Sequence, residues 1–254
     1  MKTEELAKRV FGERAVLYTT GETHTDPRVL QRVVELSGAQ AHWSALDIAT
    51  GTGHTALALG PHVASVIGID LTPQMLAEAE RLRVERDATN VTFRTGDVHH
   101  LPFADTSFDL ITCRLAAHHF SNIRRALAEV RRVLRHGGRL VIDDRSVAED
   151  DFVDGCMNEL DRLHDESHVR EYRPNEWRSM LAEAGFAVHA VEPYVRHRPL
   201  TALTEGVTPE NVARIQAVLT SLDDAQRAAL NLAEIAGQLY LNHWYVLIAA
   251  TRGG

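Results

Sequence analysis

Three carboxylates, a pair of glycines and two adjacent histidines are the residues whose types and spacing suggest chemistry. Asp47 precedes the run Ala49-Thr50-Gly51-Thr52-Gly53, Asp70 and Asp97 stand near the ends of two later apolar runs, and His118-His119 follows a fourth. Glycines after a strand let a ligand approach the backbone, and the amides that open the following helix point at it. A carboxylate that closes the second strand, as Asp70 does, can accept from both hydroxyls of a ribose. Asp47 lies before the glycines, where it can hold an ammonium group, and Asp97 in Gly96-Asp97-Val98 can accept from an adenine amino group. The run Gly51-Thr52-Gly53-His54-Thr55-Ala56 also satisfies the dinucleotide pattern GxGxxA, so an NAD(P)-dependent oxidoreductase is the alternative this loop allows. Three carboxylates around one site suit a cationic ligand and repel a pyrophosphate.

Histidine titrates near neutral pH and suits general-base work, which typically adds about 10²–10⁴-fold in rate. His118 and His119, just beyond Arg114 at the end of the fourth predicted strand, are the candidate bases, His118 first. The other reading of the pair is structural, one ring capping the next helix and the other packing beneath it. His24 is a third candidate, downstream of the aromatic stretch Phe11-Gly12 to Tyr18. His164 and His168 stand at i, i+4, a spacing that can hold zinc on a helix face. No third ligand is evident and Asp165 follows His164 where a zinc motif would have Glu, so a solvated helix end is expected and no metal. His99 and His100 read as exposed loop residues. Arg170 is placed to pair with an anionic substrate group or to form a surface ion pair with Glu166 or Glu171. Cys113 reads as a small core hydrophobe, and with Cys156 it makes only 2 cysteines, too few for a disulfide framework.

The elements that must position these residues alternate short apolar runs with helix-period stretches, the pattern of a parallel sheet with crossover helices. Strands are predicted at Ala45–Ala49, Val63–Asp70, Val91–Thr95, Phe108–Arg114, Gly138–Asp144, Phe186–Val195 and Leu239–Thr251. Helices are predicted at Pro27–Ser37, His54–Leu59, Gln74–Asp87, Ile123–Leu134, Asp150–His164, Pro174–Ala184, Val207–Ser221 and Asp223–Ala236. The simplest division is one domain over 1–254: an N-terminal helical lid segment (1–39), a ligand-binding half (about 40–145) and a substrate-shaping elaboration (about 146–254). A hydrophobic content of 44% with 24% charged residues is ordinary for a globular chain. The net charge of −8 offers no general attraction to phosphate backbones, so no nucleic-acid partner is expected. No apolar run approaches the ~20 residues that span a bilayer, and the start MKTEELAKRVF is unlike a signal peptide. A cytoplasmic location is therefore expected, with no membrane partner.

Taken in order, Leu46–Ala56, Asp70, Asp97-Val98-His99-His100-Leu101-Pro102-Phe103, Ser107-Phe108-Asp109 and the helix–glycine–strand stretch Arg132–Leu140 resemble the class I S-adenosylmethionine (SAM) dependent methyltransferases. The resemblance is to the small-molecule branch that includes the ubiquinone/menaquinone C-methyltransferases; it runs from about Phe11 to Gly185 and fades beyond Val195. It implies a Rossmann-like, seven-stranded α/β fold, mainly parallel, with an antiparallel C-terminal edge pair and helical insertions. It implies transfer of a methyl group from SAM to oxygen or carbon of a small molecule by in-line displacement, leaving S-adenosylhomocysteine. Residue by residue, the loop with Asp47, Ala49, Thr50, Gly51 and Gly53 would hold the methionine part and Asp70 the ribose. Leu71 and Met75 would pack on the adenine or its ribose, Asp97 would meet the adenine amino group and the Val98 amide a ring nitrogen. Arg114 would lie beside the methionine carboxylate through its backbone carbonyl, Tyr18 would close over the methyl group, and His24 would face substrate. Two positions depart from the family: Ala49 stands where its loop usually begins with Gly, and His118-His119 differs from the quinone enzymes. A cofactor-binding protein or cyclase without methyl transfer is an alternative, as is an RNA or protein methyltransferase, which the acidic balance disfavours. The expected assembly is a monomer or homodimer.

Overall fold

The computed structural model describes residues 3–254; residues 1 and 2 of the predicted lid segment, and the side chains of Thr3, Glu4, Ala7 and Leu17, lie outside that description. The strands are β1 (Ser44–Ile48), β2 (Ser65–Asp70), β3 (Val91–Thr95), β4 (Phe108–Arg114), β5 (Leu134–Ser146), β6 (Phe186–Pro199), β7 (Ala233–Ile235) and β8 (Gln238–Arg252). The helices are α1 (Thr3–Thr20), α2 (Glu22–Thr25), α3 (Pro27–Ser37), α4 (His54–Leu59), α5 (Pro73–Glu85), α6 (Ile123–Val133), α7 (Asp151–His164), α8 (Pro174–Glu183), α9 (Thr201–Thr204), α10 (Pro209–Thr220) and α11 (Asp224–Ala229). The sheet order is β3-β2-β1-β4-β5-β8-β6, with β7 paired to β8. The first five strands are parallel, and β8 runs antiparallel to β5, β6 and β7.

Side-chain alternation along these strands creates two cores. Leu46, Ile48, Ile111, Cys113 and Ile142 face one side, where they pack with Leu127 and Val130 of α6 and with Trp177 and Leu181 of α8. Ala45, Leu110, Val141 and Leu247 face the other, against Val33 of α3 and Leu57 of α4. Helices on both faces explain why β1 and β4 are apolar almost without interruption. A third cluster joins Met157 and Leu160 of α7 to Leu203, Ile215, Leu219 and Leu241, so the C-terminal elaboration carries its own core. The strand order reverses between β1 and β4, and open α/β sheets bind ligands in the crevice beyond the carboxyl ends at such a point.

The described residues form eight strands rather than the seven expected. The helix predicted over Asp223–Ala236 stops at Ala229, and Ala233–Ile235 turns back onto β8 through a two-residue loop in which Ala236 and Gly237 have φ of 51° and 79°. Paired positive φ values mark the hairpin turn that matches strand twist, but alanine at the first position hides it in the sequence. β5, β6 and β8 also run beyond their predicted ends. The extensions of β5 and β6 both pair with β8, Arg145–Ser146 on Tyr245–Trp244 and Arg196–Pro199 on His243–Tyr240.

Gly68 of β2 has no room for a side chain. A Cβ on Gly68 of β2 would lie 2.6 Å from the Phe93 ring and 2.9 Å from the Thr50 hydroxyl. Gly68→Ala is expected to cost about 1–3 kcal/mol through overpacking, read as a lower urea midpoint; an unchanged midpoint would contradict this packing.

Candidate active site

The turn after β1 is a left-handed staircase: Ala49, Gly51 and Gly53 have φ of 50°, 54° and 83°. Glycine takes this conformation freely, whereas alanine carries a steric cost there of roughly 1–2 kcal/mol. Two carboxylates hold the turn. Asp70 accepts from the Gly51 amide at 2.9 Å and from the Thr72 amide at 2.8 Å, tying the loop to the end of β2. Asp47, only 1% exposed, accepts from the hydroxyls of Thr50 at 2.5 Å and Thr112 at 2.6 Å. Burial pushes Asp47 up to about 6 and raises Asp70 above the ordinary carboxylate value. Both line a cavity with Ala49, Thr50, Gly51, Leu71, Met75, Val98 and Arg114, so these predicted residues converge.

Gly53 and Asp97 are not on that cavity's wall. A Cβ at Gly53 would fall 2.6 Å from Phe93, so this glycine permits helix–sheet packing. Asp97 accepts from the amide and from Nδ1 of His99, both at 2.8 Å. The tether corrects the expectation for His99, which is buried, lines the cavity and packs 6.0 Å from Phe120. His54 and Thr55 also line the cavity; they lie inside the glycine run but sequence reasoning gave them no role.

The N-terminal segment roofs this crevice. The Arg114 side chain, rather than its carbonyl, makes the visible contacts: Nε donates to Thr55 Oγ1 at 3.0 Å, Nη1 to the Thr23 carbonyl at 3.3 Å and Nη2 to the His24 carbonyl at 2.5 Å. Asp143 of β5 answers its charge at 3.8 Å. On the same roof His54 Nε2 donates to the Thr19 carbonyl at 3.2 Å. Tyr18 sits between Phe11 at 5.7 Å and His24 at 4.5 Å, ring to ring. Burial pushes His24 down to about 3, with Arg114 adding to the effect, and burial with Asp165 pushes Tyr18 up to about 12.

Beyond β4, Leu115 with φ of 52° turns the chain so that His118 and His119 stand over the end of β5. His118 donates its amide to Asp144 Oδ2 at 2.9 Å and its Nδ1 to Asp144 Oδ1 at 2.6 Å. His119 Nδ1 donates to the Ser167 carbonyl at 3.1 Å. Burial lowers His118 to about 3 and His119 to about 4, and it raises Asp144 to about 7. His118 lines a second cavity of ≈ 300 Å³, space for a ligand rather than a lone water. The two cavities share Phe11, Tyr18, His24, Leu115 and His119.

Two expectations for this region are corrected. His164 and His168 are not a solvated helix end: both line the second cavity, and His168 Nε2 donates to Asn158 Oδ1 at 3.1 Å. They are enclosed because α9 packs on α7, and because the amides of Val169 and Arg170 donate to the His118 carbonyl at 2.9 and 3.1 Å. Arg170 pairs with Asp154 and Glu176 instead of Glu166 or Glu171. Glu171 is turned inward, with Oε1 2.6 Å from Arg145 Nε, a close ion pair without hydrogen-bond alignment. Arg145 also binds Asp161 at 2.7 Å, and Arg145, Asp161 and Glu171 all lie on the second cavity. Among the described residues no group of three or more His, Cys, Asp or Glu is arranged to hold a metal ion, and no helix is long and apolar enough to cross a membrane. Cys113 is buried, and burial raises its thiol well above the ordinary value.

The family profile of the methyltransferase domain matches residues 46–142. The uncharacterized methyltransferase YcgJ of Bacillus subtilis is 36% identical over 222 residues, 86% of each chain. Its crystal structure superposes with a TM-score of 0.84 at 33% identity, covering 89% of this chain and 99% of that one. A demethylmenaquinone methyltransferase of Thermotoga maritima is 39% identical over 148 residues, 56% of this chain and 62% of that protein. The [4+2]-cyclase SpnF shares the fold with a TM-score of 0.62 at 24% identity, covering 89% of this chain and 84% of that one. This chain belongs to the class I SAM-dependent methyltransferases.

Asp70 is buried on the wall of the first cavity and holds the glycine loop through the Gly51 amide. Asp70→Ala is expected to weaken S-adenosylhomocysteine binding by about 1–3 kcal/mol in a calorimetric titration. Unchanged affinity would remove Asp70 from the cofactor site.

Proposed function

We propose that the chain methylates a small molecule held in the second cavity, at an oxygen or carbon whose nucleophilicity comes from an ionisable hydroxyl. His118 takes the proton, and Asp144 positions His118 for it. The carrying observation is that two cavities meet at five side chains, with His118 on the wall of the second and Asp144 buried behind it.

The first cavity fits the cofactor. A Cβ on Gly51 would meet nothing within 4 Å, so the loop backbone borders open space, while Leu71, Met75, Val98 and Phe120 give an apolar wall beside the buried Asp70 carboxylate. Ala49, Thr50 and Gly51 would border the methionine part, Asp70 the ribose, and Met75 and Val98 the base. Bound SAM supplies a methyl group on a positively charged sulfur, already activated for displacement. What remains for the chain is alignment, exclusion of water and removal of a proton. Phe11, Tyr18 and His24, held down through Arg114, cover the shared rim of both cavities and keep water from it. Asp47, sealed by two threonine hydroxyls, acts on the shape of the loop rather than as a direct ligand.

The proton has a defined place. Asp144 accepts from Nδ1–H of His118, leaving Nε2 as the lone-pair nitrogen. A proton gained at Nε2 is balanced by the adjacent carboxylate, which itself stays ionised, as in other histidine–carboxylate pairs. Burial resists charge on each partner, yet the pair carrying one added proton is neutral overall, so the two groups titrate as one unit. His119, at the junction of the cavities, faces the reacting atoms as a contact residue, and His24 packs with Tyr18 above them.

His118→Ala is expected to lower turnover by about 10²–10⁴-fold while leaving S-adenosylhomocysteine affinity unchanged. Wild-type turnover in that variant, measured with methyl-labelled SAM and a panel of phenols, would exclude His118 as the base. Cofactor binding without any labelled product across the panel would contradict methyl transfer itself.

The pH dependence follows from the same pair. With Asp144 raised to about 7, the pair already holds a proton in more acidic solution and cannot take the substrate's. Activity should therefore rise with pH through about 7 and fall below it. Asp144→Asn should lose this limb along with most turnover; a limb that persists would assign it to another group.

A further inference from the structure

Five histidines line the second cavity, and four of them, His118, His119, His164 and His168, each commit one ring nitrogen to a protein acceptor. His118 Nδ1 meets Asp144 Oδ1 at 2.6 Å, His119 Nδ1 the Ser167 carbonyl at 3.1 Å, His164 Nδ1 the Leu203 carbonyl at 3.1 Å and His168 Nε2 Asn158 Oδ1 at 3.1 Å. Carbonyls accept only, and Asp144 takes two backbone amides besides, so the hydrogen sits on the histidine nitrogen in each case. The orientation of Asn158 is set because its Oδ1 also accepts from the Glu171 amide at 2.8 Å while Nδ2 donates to Asp154. Every ring is thus left with one lone-pair nitrogen, and burial lowers all four so that they stay neutral.

The surrounding charge points the same way. Arg145 is answered by Asp161 and Glu171; Arg14 and Arg198 also line the cavity, but with Glu22, Asp165 and Glu205 its carboxylates outnumber its arginines five to three, and the buried Tyr245 hydroxyl on the same wall has no partner among the described residues. A wall of acceptors whose deep cation is already neutralised receives hydrogen-bond donors and repels anions. His118 and His168 form a pair in this wall, their ring centroids 5.9 Å apart and tilted by 37°. Two hydroxyls on neighbouring carbons, each donating over about 2.8 Å, span such a gap, whereas a single hydroxyl leaves one ring unpaired. The aromatic rings of Phe11, Tyr18 and Tyr245 on the cavity favour a flat, aromatic skeleton between them.

We propose that the second cavity selects an uncharged aromatic ring bearing two adjacent hydroxyls, one donating to His118 and the other to His168. This rests on the methyl-transfer reading for its chemistry. The hydroxyl at His118 passes its proton to Nε2, its oxygen electron pair forms the bond to the methyl carbon, and the sulfur–carbon bond breaks with its electrons returning to sulfur. His168 is a specificity residue that holds the hydroxyl that is not methylated.

Calorimetry on the full chain, alone and saturated with S-adenosylhomocysteine, tests this with catechol, phenol, resorcinol and 3,4-dihydroxybenzoate. Catechol is expected to bind at least about tenfold more tightly than phenol or resorcinol, since each buried acceptor left unpaired is costly, and more tightly than the carboxylate. In His168→Ala the preference should shrink to about twofold or less with cofactor affinity unchanged, and His168→Gln, which keeps an acceptor, should restore part of it. Equal binding of catechol and phenol, tighter binding of the carboxylate, or a preference that survives in His168→Ala would overturn the proposal. Failure of S-adenosylhomocysteine to bind would instead overturn the cofactor reading, and the comparison on the protein alone would still decide the selectivity.

Discussion

Burial of carboxylates at and beyond the carboxyl ends of the strands is the constraint from which the rest of the site follows. A buried carboxylate is costly unless its oxygens are hydrogen-bonded or its charge is answered, and here the partners are the loops that make the two cavities. Asp47 of β1 takes hydroxyls from Thr50 and Thr112 and so shapes the glycine turn. Asp70 of β2 takes the amides of Gly51 and Thr72 and joins that turn to the start of α5. Asp143 of β5 takes the Tyr194 hydroxyl at 2.8 Å and faces Arg114, and its neighbour Asp144 takes His118. Satisfying these groups builds the glycine loop, anchors the roof and orients His118.

Arg114 connects these parts. Its guanidinium reaches Thr55 at the start of α4, the carbonyls of Thr23 and His24 in the roof, and Asp143 in the centre of the sheet. The roof is therefore held by the same strand ends that frame the crevice beneath it. The C-terminal elaboration is built on the opposite flank, where α7, α9 and α10 share a core and present Asp161, His164 and Ala202 to the second cavity.

The cofactor half was legible in the sequence because its signals are local. The glycine run, Asp70 and Val98 are marked by strand ends and turns that a single chain displays, and all three face one cavity. The substrate side was less legible because its pairings are distant in sequence. Nothing near His118 announces Asp144, which reads only as the last residue of a predicted strand, and nothing near His168 announces Asn158 or the enclosing α9. His99 reads as exposed because it follows a turn, where loop residues are usually solvated, and nothing local shows that Asp97 tethers it inward. The eighth strand was hidden by alanine in a left-handed turn position that usually signals itself through asparagine or glycine.

The most direct test of the central claim is a crystal structure of the protein with S-adenosylhomocysteine. The account predicts the adenosine against Asp70, Met75 and Val98, and the sulfur at the rim shared by Phe11, Tyr18, Leu115 and His119, opening toward His118. A sulfur directed away from that rim, or a nucleoside seated in the second cavity, would contradict it.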